Sequence, residues 1–456
     1  MLFVLLLVSF VHAQQRWTRT YGGIMNDVGN SVQQTQNGGY IIAGTTSSFG
    51  AGYNDVYLIK TDSLGDTLWT KTYGGSSDDG GCSVRITRDG GFVIAGYTNS
   101  LNWRSYIYLI KTDSMGDTLW TRTYGDTSLS SSGCDVQQTI DGGYIVLGNT
   151  RDSIKIIKTD SLGDTLWTKA WRFGMGANGS AIVQAADKGY AITGSASDAF
   201  NGYVMLLKTD SLGNESWQQY WGGPVQTACG GAALQQTSDG GYIITGVYCG
   251  VINPGDVYLI KTDYLGNAQV IKYYGGFGDD VGHSVQQTSD GGYIVAGYTT
   301  SFGHGYSDVY LIKTNATGDT LWTRTFGGSN GEQGNSIQLT RDGGYIIVGY
   351  TYSFGAGNDD VYLIKTDSSG RSSGVEEHPS PHLTPSTSRL TVTPNPFTSF
   401  ATVLGHEQQR FALYDVSGRR VGVYKGDRIG EGLRAGVYFL KLKDGSTPPI
   451  QVVKVR

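Results

Sequence analysis

An aromatic residue behind a glycine turn recurs along this chain, at Tyr40, Phe92, Tyr144, Tyr190, Tyr242, Tyr293 and Tyr345, with spacings of 52, 52, 46, 52, 51 and 52 residues. Copies this short cannot each bury a core alone, so each must pack its apolar faces against its neighbours. Within a copy, GNSVQQT (strand A), GGYIIAG (B), VYLIKT (C) and TLWTKTYG (D) are rich in the β-branched and aromatic residues that suit a pleated sheet. The DGG and DSLGD stretches between them supply turns. Four strands per unit at this period predict an all-β fold, a seven-bladed β-propeller in which small antiparallel sheets stack around an axis.

The ends of the array sharpen that expectation. The seventh copy stops at Lys365–Gly370 without a TLWT strand, and the missing piece stands at the N-terminus as Arg16-Trp17-Thr18-Arg19-Thr20-Tyr21-Gly22-Gly23. Pairing it with the last copy completes the seventh sheet and removes the open edges of an unclosed array. A ring closed within one chain needs no second copy, so a monomer is expected.

The C–D turn, Asp62-Ser63-Leu64-Gly65-Asp66-Thr67-Leu68-Trp69, recurs with tryptophan at Trp17, Trp69, Trp120, Trp167, Trp217 and Trp322, and fails only at Val270. Its Asp-x-x-Gly-x-x-x-Trp spacing resembles the tryptophan-docking turn of quinoprotein-type propellers, and more loosely kelch-like propellers and the Asp-box turn of sialidase-like ones. The residues suit a structural role, in which Asp caps the turn, Gly takes positive φ and Trp packs between neighbouring sheets. No cofactor is required for it, and none is expected.

The 69 glycines and 30 tyrosines fit a turn-dense β protein, and a net charge of −5 without a basic stripe excludes a nucleic-acid surface. Residues 1–13 (MLFVLLLVSFVHA) read as a signal peptide, with an apolar run too short to span a bilayer and a Val11-His12-Ala13 ending that suits cleavage. No later stretch reads as a transmembrane helix. Residues 14–369 hold the repeats. Residues 370–388, rich in Ser, Pro and charge, read as a flexible linker, and residues 389–456 as a small β-sandwich.

That last segment carries Pro394-Asn395-Pro396-Phe397, then Leu413-Tyr414-Asp415-Val416-Ser417-Gly418-Arg419, then Ala435-Gly436-Val437-Tyr438-Phe439, and ends Val453-Lys454-Val455-Arg456. In this it resembles the type A C-terminal sorting domain of the type IX secretion system of Bacteroidota and related bacteria. The resemblance implies export through the periplasm to the medium or the outer cell surface, with the type IX machinery as partner. The motif residues it marks are Pro394, Asn395, Pro396, Asp415, Gly418, Arg419, Gly436 and Tyr438.

Function on a rigid repeat scaffold belongs to loops that vary. The B–C loops differ between copies and share one face with the D–A loops, and Phe49, Trp103, Phe200, Phe302, Tyr306 and Phe354 are its candidate aromatics for stacking on a glycan or filling a protein pocket. Packing down over their own loops is the alternative, hinted at by the shared Ser-Phe-Gly. Thirteen residues before each repeat aromatic stands a slot occupied by Asp27, Asp79, Ser131, Ala177, Cys229, Asp280 and Glu332. Asp27, Asp79, Asp280 and Glu332 are weak metal candidates. A Gly two residues later in every copy favours instead a capped tight turn, so no metal site is assigned. Cys229 and Cys249 are placed for a cross-strand disulfide, whereas Cys82 and Cys134, in the same slot of adjacent copies, either bridge or, as favoured, are two small buried side chains. No catalytic residues stand out from the repeat. A secreted or surface binding protein is therefore expected, with an extracellular hydrolase or lyase acting on polysaccharide or peptide as the alternative.

Overall fold

A computed structural model describes residues 15–101, 104–125, 130–151, 153–174, 176–198, 202–222, 230–248, 255–373, 392–393, 398–403, 410–415, 419–442 and 450–455. The chain divides into two compact units, residues 1–382 and 383–456.

Among the described residues the first unit consists of seven four-stranded antiparallel sheets, a propeller-like repeat. Sheet 1 runs through strands Asp27–Gln34 (A), Tyr40–Thr46 (B), Asp55–Thr61 (C) and Thr67–Tyr73 (D), joined in sequence order. Sheets 2 to 6 repeat the pattern, their A strands starting at Asp79, Ser131, Gly176, Gly230 and Asp280. Sheet 7 has A, B and C strands at Glu332–Leu339, Tyr345–Thr351 and Asp360–Thr366, and takes its D strand from Trp17–Tyr21, with Trp17 opposite Lys365 and Tyr21 opposite Val361. The A strand of each sheet lies against the A strands of two others, and that of sheet 7 lies against that of sheet 1.

B and C strands are buried on both faces, as their continuous apolar runs require; D strands are more open, those of sheets 1 to 5 having exposed residues in their first half. Apolar clusters form between consecutive sheets: Ile41, Ala43, Val56 and Leu58 of sheet 1 pack on Val84, Phe92, Ile94 and Ile110 of sheet 2. Tryptophans dock six of the seven sheets onto the next, with Val270 in that place in sheet 5. Trp17 meets Tyr40 at 5.8 Å between ring centroids, Trp120 meets Tyr144 at 5.8 Å and Trp322 meets Tyr345 at 6.1 Å. The Tyr21 hydroxyl donates to the Gly65 carbonyl of the next C–D turn at 2.6 Å, and Tyr73 repeats this on Gly116. Gly65 has φ +80°, and a Cβ there would sit 2.6 Å from the Trp17 ring. The turn's glycine thus answers two demands, left-handed backbone and close approach of an indole.

One sequence expectation is corrected. The glycine two residues after each acid slot does not lie in a turn; it is part of strand A, at a register shift that recurs in all seven sheets, between Gly29 and Ser31 in the first. Opposite it stands the B-strand glycine, Gly44 in sheet 1, where a Cβ would lie 1.8 Å from the Val28 carbonyl oxygen. The two backbones approach too closely for a side chain, and an extra residue on strand A accommodates the bend.

The second unit holds a four-stranded sheet in the order Arg420–Lys425, Arg410–Asp415, Gly436–Leu442, Ile450–Lys454, and a two-stranded pair, Val392–Thr393 with Thr402–Val403. Its core gathers Ala401, Val403, Phe411, Leu413, Ile429, Leu440 and Val452.

Candidate functional site

The four acid-slot residues open their A strands and are fully buried. Asp27 Oδ2 accepts from the Gly23 amide at 2.8 Å and from Ser48 Oγ at 2.6 Å. Asp79 does the same with Gly75 and Ser100, and Asp280 with Gly276 and Ser301. Glu332 reaches Gly328 N with Oε2, and Thr351 Oγ1 and Ser353 N with Oε1. The slot therefore caps the D–A turn before it, as an Asx-type cap does.

Each of these acids faces a second one that the sequence reading missed. Asp55, Asp256, Asp308 and Asp360 open their C strands, and each meets the A-strand acid of the next sheet across one glycine of the D–A turn. A Cβ on Gly74 would stand 2.2 Å from Asp55 Oδ1 and 2.7 Å from Asp79 Oδ2; on Gly275, 2.1 Å from Asp256 Oδ1 and 2.7 Å from Asp280 Oδ2. Gly327 stands likewise between Asp308 and Glu332, and Gly22 between Asp360 and Asp27. The other oxygen of the C-strand acid binds its own B–C loop: Asp55 Oδ2 accepts from Ala51 N and Gly52 N, Asp360 Oδ2 from Ala356 N and Gly357 N, and Asp308 Oδ2 from His304 N.

Four consecutive junctions, from sheet 5 through 6, 7 and 1 to 2, thus carry facing carboxylates. The junction from sheet 2 to 3 has Tyr106 and Ser131 at these places. Burial, reinforced by the Asp280 charge, pushes Asp256 up to about 7, and burial with the Glu332 charge does the same to Asp308. A tyrosine of the following C strand completes each set. Tyr310 is buried with its hydroxyl unpartnered, and after burial itself the charges of Asp280 and Asp256 are the chief groups acting on it. Tyr362 stands in the same relation to Glu332 and Asp308, with the Thr18 side chain nearby but outside bonding geometry.

The candidate aromatics divide. Phe49, Phe302 and Phe354 lean on Tyr57, Tyr310 and Tyr362 with ring centroids 5.8, 5.7 and 5.8 Å apart. Their ring tips cover Gly23, Gly276 and Gly328 of the D–A turns. They roof the acid pairs with one face, while Phe49 and Phe354 remain 45% and 39% exposed. Tyr306, by contrast, is 82% exposed. Sequence reading missed Tyr53 at 77% and Ile24 at 78% exposed, and the exposed Met25, Phe277 and Tyr352. All stand on B–C or D–A loops of the same arc of sheets. Trp103 and Phe200 lie outside the described residues, as do Cys229 and Cys249, so the proposed disulfide does too. Cys82 and Cys134 are free thiols, both raised by burial, Cys82 to about 11.

A second exposed series belongs to the C–D turns and the D-strand starts: Leu64 and Leu68, Met115 and Leu119, Leu162 and Leu166. It follows from the repeat and was not singled out in the sequence.

Of the sorting-motif residues, Pro394, Asn395, Pro396 and Gly418 lie outside the described residues. Asp415 and Arg419 close a turn on themselves, with Arg419 N and Nε donating to the Asp415 carboxylate at 3.1 and 3.0 Å. Gly436 opens a strand, and Tyr438 Oη donates to the Arg434 carbonyl at 2.9 Å.

No family model and no curated protein matches the chain. Among solved structures it is similar to a protein from Lactobacillus plantarum (13% identity, covering 65% of this chain and 84% of that one, TM-score 0.46). It is also similar to virginiamycin B lyase from Staphylococcus aureus (11%, 76% and 99%, TM-score 0.43) and to the WD40 domain of Pan2 from Neurospora crassa (10%, 76% and 90%, TM-score 0.44). Likeness at this level assigns neither activity nor ligand to the chain.

Proposed function

We propose that residues 14–369 form a seven-bladed β-propeller closed by the Trp17–Tyr21 strand, and that it is a binding module which engages a glycan or a protein through its B–C and D–A loops. Pairing of Trp17–Tyr21 with the last C strand, and the contact between the first and last A strands, support closure. The binding reading is carried by one observation: Tyr53 and Tyr306 stand 77% and 82% exposed on B–C loops, whereas Phe49, Phe302 and Phe354 each lean on a tyrosine of their own sheet. Large amphipathic rings held on a rigid frame lose little entropy on binding. Among the described residues the acids of the slot recur from sheet to sheet and cap turns, as a structural part of the repeat does. Export by residues 1–13 and by type IX sorting through residues 389–456 rests on their motifs.

The alternative, an extracellular hydrolase or lyase, draws on Asp256 and Asp308, whose values near 7 suit a general acid. Screening the full chain on a glycan array, and against polysaccharide and peptide substrates, separates the two. Binding without turnover, lost in a Tyr53→Ser/Tyr306→Ser variant that melts normally, is expected. Turnover abolished by Asp256→Asn or Asp308→Asn overturns the binding reading. In a host with a type IX system, removing residues 389–456 is expected to retain the protein in the periplasm.

A further inference from the structure

The four junctions with facing carboxylates have a charge problem that the described residues do not solve. At each, two acids from different sheets converge on a glycine where no side chain would fit between them. Among the described residues no lysine or arginine pairs with any of the eight; the ion pairs lie in the turns of the opposite face and elsewhere. Burying two facing carboxylates without a counter-charge costs several kcal/mol by any ordinary reckoning. Oxygen atoms are also left over. Oδ1 of Asp27, of Asp79 and of Asp280 is buried without a hydrogen-bond partner, and the Thr299 hydroxyl favours the Asp280 carboxylate without reaching Oδ1 in bonding geometry. The Tyr310 and Tyr362 hydroxyls, from a different strand, are buried beside the same acids with no partner in bonding geometry. An orphan carboxylate oxygen thus remains at three of the four junctions, and an unpartnered tyrosine hydroxyl stands beside the acids of two.

We infer that the four junctions are divalent-cation sites of the calcium class, each held by a C-strand acid and the A-strand acid of the next sheet: Asp55 with Asp79, Asp256 with Asp280, Asp308 with Glu332, and Asp360 with Asp27. The donor set is oxygen alone, which suits a hard cation and gives zinc no sulfur or nitrogen ligand. Carboxylates gather here in twos, and no group of three acids, histidines or cysteines occurs among the described residues. Tyrosine hydroxyls, loop carbonyls and water complete a calcium shell, as calcium's irregular coordination permits. Each cation neutralises a pair and ties one sheet to the next. The junction with Tyr106 and Ser131, and that with Ser153 and Ala177, lack the acids and stand as built-in controls. The inference is independent of which ligand the loop face binds and of the export route.

The test uses the full chain, stripped with chelator and titrated with calcium chloride at pH 7.5 by calorimetry and native mass spectrometry. Uptake approaching four equivalents is expected, with a melting temperature raised by calcium and not by sodium chloride of equal ionic strength. Asp280→Asn removes one equivalent and leaves three. Should that variant fail to fold, Tyr310→Phe, which deletes a single hydroxyl, lowers the affinity of one site by about tenfold. No uptake at millimolar calcium, or a stoichiometry unchanged by Asp280→Asn and Asp308→Asn, overturns the inference. So does melting that ignores calcium but rises as the pH is lowered from 8 to 6, because each pair then shares a proton instead of a metal.

Discussion

Lys365 is 1% exposed, and a lysine so placed persists only because its charge is met on the spot. Its Nζ lies 2.8 Å from Asp342 Oδ2 of the DGG turn and donates to the Thr366 carbonyl at 2.9 Å. The same lysine recurs as Lys111, Lys158, Lys208, Lys261 and Lys313, each against the aspartate of its turn. Sheet 1 departs from the rule, because its turn carries Asn37 in place of Asp. Lys60 there stands 5.0 Å from the Phe92 ring centroid instead, with burial lowering its pKa. Two opposite results follow for equilibrium unfolding. Asp342→Asn strands the buried Lys365 charge and is expected to cost about 2–3 kcal/mol. Asn37→Asp gives Lys60 the partner its counterparts have and is expected to gain up to about 1 kcal/mol.

At the scale of the element, the N-terminal strand holds Trp17, 7% exposed, against Tyr40 of sheet 1 while its backbone pairs with the last C strand. Starting the chain at Ile24 unpairs the Asp360–Thr366 edge and leaves the Tyr40 face uncovered. Hydrogen exchange is expected to show lost protection from Val361 to Lys365 and in the Gly65 turn, with sheets 3 and 4 little changed; uniform protection would mean that the strand does not close the last sheet. This offset, the strand order and the tryptophan docking were all legible, because each is written in residues whose type fixes a local geometry and whose period repeats it. The bulge at Gly29 was not, since a glycine marks both turns and close backbone approaches, and only the facing Gly44 decides between them. The acid pairs were legible in principle. Asp55, Asp256 and Asp308 each precede their partner by the same 24 residues, but the aspartate of DVYLIK reads alone as the end of a loop. Nor does residue type tell which loop aromatics find a ring partner: Phe49 leans on Tyr57, while Tyr53 on the same loop is 77% exposed.

Across the whole molecule the lysine–aspartate turns act together. Burial raises the turn aspartates, but hydrogen bonds from lysine, threonine and a glycine amide outweigh it and hold Asp89, Asp239 and Asp290 near 2. A carboxylate depressed in the folded state contributes stability that is present above its unfolded value and lost as pH falls through the folded one. Urea midpoints should therefore drop steeply between about pH 4 and pH 2. Asp256 and Asp308, near 7 when folded, work the other way: they favour the fold increasingly as pH falls from 7 toward the ordinary carboxyl value near 4, and oppose the loss only at the upper end of that window. A midpoint flat down to pH 2 would remove the turns as a source of stability.

The repeat presents two faces, one of turns fixed by docking and one of loops, and ligand binding belongs to the loops on the reading proposed above. The direct measurement compares two full-length variants of matched melting temperature for binding on the same glycan and protein arrays. One carries serine at Tyr53, Tyr306 and Tyr352; the other carries serine at the exposed Leu64, Leu119 and Leu166 of the turn side. Binding lost in the tyrosine variant and kept in the leucine variant is the predicted result. Binding kept in the first and lost in the second would contradict it.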